Sequence, residues 1–271
     1  MNSIAATPER RWAHGTPARW LLAAIFPLIW LLDRSWWQLS PDVLVVAAIL
    51  PLAWKLAAAH PATEGPRPRL VVPAAVLLAL GIITSRMSVM AFAWAWLAVV
   101  FFLPKSAIPA GRLWLLVAGA FPWVLTDGNT LGWLFRLSGA NLTARIFEAT
   151  GYEVIAHGTE LTIGGVPISV EAACGGMKLL QVLMSGGLAL TALRFPRSRA
   201  FWIMVALLPA LAWAANTLRI IVITAWGLAH GVASAAGAFH TWGAMVVIVA
   251  MLAGYLALAA LVAKRFPLSR P

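Results

Sequence analysis

Cysteine is almost missing from this chain: Cys174 is the single one in 271 residues. One cysteine excludes an intrachain disulfide, and no Cys/His cluster has metal-ligand spacing. The sequence therefore calls for no metal and no cofactor, and the thiol is either an inert packed group or a reactive one. Charge is also scarce. Charged residues make up 11% of the chain, against about 25% in a soluble domain. No soluble domain of useful size, no low-complexity tail and no internal repeat can be read. No small-residue cleavage site follows the first apolar run, so no segment reads as a cleaved signal peptide.

What fills the chain instead is hydrocarbon, at 62% apolar residues. Repeated runs of roughly membrane-spanning length predict an all-α polytopic membrane protein. Eight spans are expected, at about 19–33, 42–58, 70–84, 88–104, 112–126, 173–193, 199–218 and 240–262. We read one integral membrane domain over 1–271, with five spans in 1–126, an extracytoplasmic segment at 127–172 and three spans in 173–271.

The net charge of +11 could suggest nucleic acid. The basic residues instead sit in short clusters between apolar runs, as topology signals do. With both termini in the cytoplasm, fourteen of the twenty Lys and Arg fall on the inner side. They include Arg10 and Arg11, Arg67 and Arg69, Lys105 and Arg112, Arg197 and Arg199, and Lys264 and Arg265. Arg34, Arg86, Arg136, Arg145, Lys178 and Arg219 remain outside.

Two outer segments are unusual. In 127–172, "LGWLFRLSGANLTARIFEATG" has apolar residues at helical spacing and predicts an amphipathic helix on the outer interface. After it, β-prone runs broken at His157-Gly158 and Gly164-Gly165 predict a small hairpin before span six. The second segment is 219–239. A crossing that starts at Ala200 is complete near Leu218 at 1.5 Å per residue. The stretch "IIVITAWGLAHGVASAAGAF" is then expected to lie at, or dip into, the outer side.

This topology brings three reactive groups to one depth: Cys174 opening span six, Arg219 ending span seven and His240 opening span eight. A helix N-terminus favours the thiolate. Gly175 and Gly176 let a substrate backbone come close and leave N–H groups open for an oxyanion. Arginine offers paired donors to the same oxyanion, and histidine can protonate a leaving amine. Each residue also has a plainer reading. Cys174 could be a small apolar side chain, Arg219 an interfacial anchor, and Asn216, three residues before it, helix glue. His240 competes with His230 and His157, and spacing does not choose among them.

"VEAACGGMKLL", "NTLRI" and "HTWGA", in that order near the ends of successive late spans, resemble the exosortase/archaeosortase family. The resemblance covers roughly 127–262. Members are polytopic membrane cysteine transpeptidases. The resemblance implies catalytic roles for Cys174, Arg219 and His240, with Gly175, Gly176 and Asn216 in support. Gly175 stands where the family often has serine. The implied partners are membrane-anchored proteins with a C-terminal sorting tail, PEP-CTERM-like: a short motif, a transmembrane helix and a basic cluster. Such proteins would be cut through a thioester and passed to an acceptor or to water, at the outer face of the cytoplasmic (inner) membrane. Two other classes compete, a transporter or flippase and a non-catalytic membrane subunit of an exopolysaccharide or secretion system. A transporter would want mid-span charges and repeats, and few are present.

Overall fold

The computed structural model describes residues 41–63, 70–170, 176–231 and 238–266, with Leu21, Ala24 and Leu28 as isolated helical positions. The expected span at 19–33 lies almost wholly outside the described residues. The rest is helical with one small sheet. In chain order come α1 (Pro41–Ala58), α2 (Val71–Ile83), α3 (Met87–Phe101), α4 (Ala110–Ala120), α5 (Trp123–Asp127) and α6 (Asn129–Ala149). Then follow β1 (Val154–His157), β2 (Glu160–Ile163) and β3 (Val166–Ser169). Last come α7 (Met177–Val182), a π-helical turn (Leu183–Gly187), α8 (Leu188–Arg194), α9 (Ala200–His230) and α10 (Ala238–Arg265).

Among the described residues, two stretches are long and apolar enough to cross a membrane, Ala200–His230 and Val246–Arg265. Shorter apolar helices lie at Val45–Ala58, Val71–Ile83, Met87–Phe101 and Ala110–Ala120. Outward-facing Val72, Val76, Ile83, Trp202, Leu218, Val246, Val249 and Leu261 are exposed. A water-soluble monomer rarely shows so much apolar surface, whereas lipid covers it at no cost.

The fourth helix stops where proline forces it to. Pro122 has no N–H and pushes Phe121 to extended backbone (ψ 142°). Carbonyls at the break then need other donors, and α7 supplies them. Gln181 Nε2 donates to Phe121 O (3.2 Å) and Gly119 O (3.4 Å), and Ser185 Oγ donates to Gly119 O (3.2 Å). Ser185 belongs to the π-helical turn, a form common at functional positions.

Contacts gather at two opposite ends of the bundle. At one end, Ala62 N–H donates to Lys105 O and Ala107 N–H to His60 O, with Pro61 and Ser106 forming a β-bridge. At the same end, Arg112 Nη1 donates to Pro196 O (2.8 Å) and Phe195 O (3.3 Å) and lies over the Phe201 ring. At the other end, Asp127 Oδ2 accepts from Ser88 N–H (2.7 Å) and Ser88 Oγ (2.5 Å), in the first turn of α3. Helix α3 joins the two ends.

Two expectations need correction and another, the second below, gains detail. The helix begun at Ala200 does not end near Leu218: α9 runs unbroken to His230. Its 31 residues extend about 46 Å at 1.5 Å per residue, well past a hydrocarbon core of about 30 Å. Protein covers one face of the surplus: Ile220, Thr224 and Gly227 are buried, while Val222, Trp226 and His230 are exposed. Second, α6 is amphipathic as expected, and its buried stripe packs on α9 while Leu131, Trp133, Leu134 and Ile146 stay exposed. Its buried residues Gly132, Phe135, Gly139, Ala140, Thr143, Ala144 and Phe147 form one stripe. Gly139 lies so close to α9 that a Cβ there would come within 2.8 Å of Ile220, and Trp213 Nε1 donates to Ser138 Oγ (2.8 Å). Third, the expected hairpin is a three-stranded antiparallel meander in the order β1-β2-β3. Both sequence breaks are turns. Gly164 and Gly165 both have positive φ (57° and 80°), which a two-residue turn of the favoured hand requires. Leu161, Ile163 and Val170 bury one face of the sheet with Ala140, Ala144, Phe147 and Ile220.

Candidate active site

The site is built where α7 begins. Cys174 and Gly175 lie outside the described residues; Gly176, two residues after the thiol, does not. It precedes Met177, the first residue of α7, in the left-handed region at φ 73°, a conformation that side chains resist. A Cβ on Gly176 would also stand 2.7 Å from Asn216 Cγ and 3.1 Å from its Oδ1. The chain therefore needs glycine here twice over, once for the bend and once so that the backbone can touch α9.

That contact fixes the start of α7 against α9. Asn216 is fully buried, and Arg219 one turn further on is 8% exposed. Residues three apart share a helix face, so the amide under Gly176 and the guanidinium lie on one side of α9. Met177, the next residue, is seated on α6: a Cβ on Gly132 would lie 3.1 Å from its Cγ, and one on Gly128 3.2 Å from its Sδ. Gly128 follows Asp127, whose carboxylate holds the start of α3. Elements α3, α5, α6, α7 and α9 thus meet within a few residues of Cys174.

The height of His240 follows from a single hydrogen bond. Tyr255 OH donates to Met204 O (3.2 Å) and pairs with Thr191 Oγ1 (2.5 Å). This ties α10 to α9 deep in the bundle, and residues 231–237 join their near ends, so the two helices run antiparallel. Arg219 lies fifteen residues beyond Met204, and His240 lies fifteen before Tyr255. Both are about 22 Å from the Tyr255–Met204 contact along their helices. The two backbones reach the same level.

The competing histidines sit elsewhere. His230 is eleven residues past Arg219 on the same unbroken helix, about 16 Å further along the axis. It is exposed and stacks on Trp226 at 4.0 Å. His157 ends β1, is exposed, and is opposite Glu160, which is opposite Ser169. Two strand spacings, about 10 Å, separate it from β3.

Several residues with clear jobs escaped the sequence reading. Arg112 looked like a topology charge; it is buried and clamps the carbonyls after α8. Asp127 has one signal in its favour, being the single acidic residue between positions 65 and 147. Gln181 and Ser185 have none, because the carbonyls they serve, at Gly119 and Phe121, lie sixty or more residues away. Among the described residues, no group of His, Cys, Asp and Glu could hold a metal ion.

A mostly helical protein with lipid-suited outer faces, long membrane-length helices and a small sheet above a Gly/Asn/Arg junction is an integral membrane protein. The sequence model of the family described as Transmembrane exosortase (Exosortase_EpsH) matches residues 12–257, and the chain belongs to that family. The match reaches far into the first half, well beyond the 127–262 stretch whose motifs carry the resemblance. Neither the comparison with curated proteins nor that with solved structures gives a match.

Proposed function

We propose that this protein is a membrane-embedded cysteine peptidase or transpeptidase that cuts C-terminal sorting tails from exported proteins. The observation that carries the reading is the shared level of Arg219, His240 and the Gly176–Asn216 contact beside Cys174. The Cys174 thiolate attacks the scissile carbonyl carbon, and Arg219 donates to the oxyanion that forms. The C–N bond then breaks, and His240 gives its proton to the leaving amine. An acceptor amine or water next attacks the thioester, and Cys174 leaves as thiolate. No cofactor enters the cycle.

Family membership supports the substrate class: membrane-anchored proteins with a short motif, a transmembrane helix and a basic tail. We further propose eight spans in a single membrane domain, both termini cytoplasmic, and the site at the outer face of the inner membrane. The two-ended clustering of loops supports alternate crossings. It joins 59–63, 105–112 and 195–196 at one end, and 88, 127–132 and 176–177 at the other.

The test is to trap the acyl intermediate. Membranes holding the protein and a tail-bearing substrate are quenched in acid and separated without thiols. The reading predicts a substrate–protein adduct that hydroxylamine releases and that Cys174→Ala abolishes. Processing of the substrate by the Cys174→Ala protein would overturn it.

A further inference from the structure

The small sheet has one feature that packing does not explain. Strand β3 is an edge: the order is β1-β2-β3, and no other strand of the described residues pairs with it. Edges usually carry protection, because open N–H and C=O groups invite another chain.

The register shows which groups are open. Val170 N–H donates to Thr159 O (2.9 Å), and β2 pairs with β3 as Leu161↔Ile168 and Ile163↔Val166. Antiparallel partners alternate between bonded and non-bonded pairs. Val166, Ile168 and Val170 therefore turn their backbone groups to β2. Pro167 and Ser169 turn theirs to the free edge. Proline has no N–H to leave open, so the edge is blunted at Pro167 and open at Ser169, which keeps both donor and acceptor. Both residues are exposed.

The open position is also the one nearest the thiol. Ser169 is five residues before Cys174, at most about 18 Å of extended chain. The strand is not loose: Val170 and Ile220, the residue after Arg219, belong to one buried cluster. The strand is thus anchored at Val170, its far half is closed by proline, and its open position is five residues from Cys174 in sequence.

We propose that the free edge of β3 takes the extended segment of the protein substrate as a fourth strand, hydrogen-bonded at Ser169, and delivers its scissile bond to Cys174. This rests on the peptidase reading and adds to it the mode of recognition. Main-chain pairing supplies affinity that is independent of side chains, and specificity falls to alternate substrate residues. Pro167 sets where pairing stops.

The experiment uses the full chain in membranes, with Ser169→Cys in a Cys174→Ala background. Single cysteines are walked through the extracytoplasmic segment of a tail-bearing substrate, and disulfide crosslinks are scored after mild oxidation. The proposal predicts crosslinks at every second substrate position. In a parallel arm, Ser169→Pro with Cys174 intact removes the open N–H of β3, and processing should fall about five- to tenfold or more at matched protein level. If that variant fails to accumulate, the crosslinks decide alone. Absent crosslinks, crosslinks without two-residue periodicity, a homodimer joined through the thiols introduced at position 169 as the sole product, or normal processing by Ser169→Pro would each overturn the proposal. Failure of the peptidase reading looks different: the Cys174→Ala protein would still process substrate.

Discussion

Gly176 and Arg219 stand one contact apart, joined through Asn216, yet substitution should injure them in different ways. Gly176→Ala puts a Cβ into a left-handed position and against the buried Asn216 amide. The strain is about 1–3 kcal/mol before any clash. We expect a lower midpoint of thermal unfolding in detergent and loss of processing together. Arg219→Lys keeps charge and stem but loses the planar fork. It should accumulate and melt like the parent while processing falls about 10²–10³-fold. Near-normal processing by the lysine variant would reduce Arg219 to an anchor. The sequence made both residues visible, because a glycine pair beside a lone cysteine and an arginine at a span's end are each unusual in hydrocarbon. It did not make Arg112 visible as a clamp, since its partners Phe195 and Pro196 are more than eighty residues away.

At the scale of elements, what was legible followed from the bilayer, and what was missed followed from protein covering protein. Apolar runs gave α1 to α3 within a few residues, because each must hide its backbone bonds from lipid, whereas the run expected at 112–126 is broken at Pro122 into α4 and α5. The same rule led to a wrong stop for α9. It assumes that a helix ends where the hydrocarbon ends, but α6 and the sheet bury Ile220 and pack Ile221 and Leu228 beyond that depth. The amphipathic pattern of α6 was real; the pattern alone does not say whether lipid or a helix faces it. Two sequence breaks likewise imply three strands, and the hairpin reading used only one. Asp127 shows how far such contacts reach. It caps α3, whose own N-cap residue Arg86 makes no side-chain cap bond. Asp127→Asn should cost about 0.5–2 kcal/mol, the range of a lost cap or helix-end charge. The readout is a lowered unfolding midpoint with Cys174 alkylation unchanged at low temperature. No change in midpoint would remove the cap from the account.

For the whole molecule, the account requires the sheet and the three reactive residues to share one side of the membrane. A reporter fused after Gly128 should read as extracytoplasmic and one after Pro196 as cytoplasmic; the reverse pair would invert the site. Within that topology the central claim is that Cys174, Arg219 and His240 act at one level, and the histidine tests it most sharply. The family resemblance named His240 at a point where spacing left three candidates. We propose the same residue on a count along the helices: Arg219 and His240 each lie fifteen residues from the Tyr255–Met204 bond, whereas His230 is about 16 Å beyond Arg219 on α9. The deciding measurement is processing of a tail-bearing substrate by His240→Ala and His230→Ala proteins, side by side at matched membrane levels. The account predicts no processing by His240→Ala and parental processing by His230→Ala. Processing by His240→Ala, with His230→Ala inactive, would contradict it.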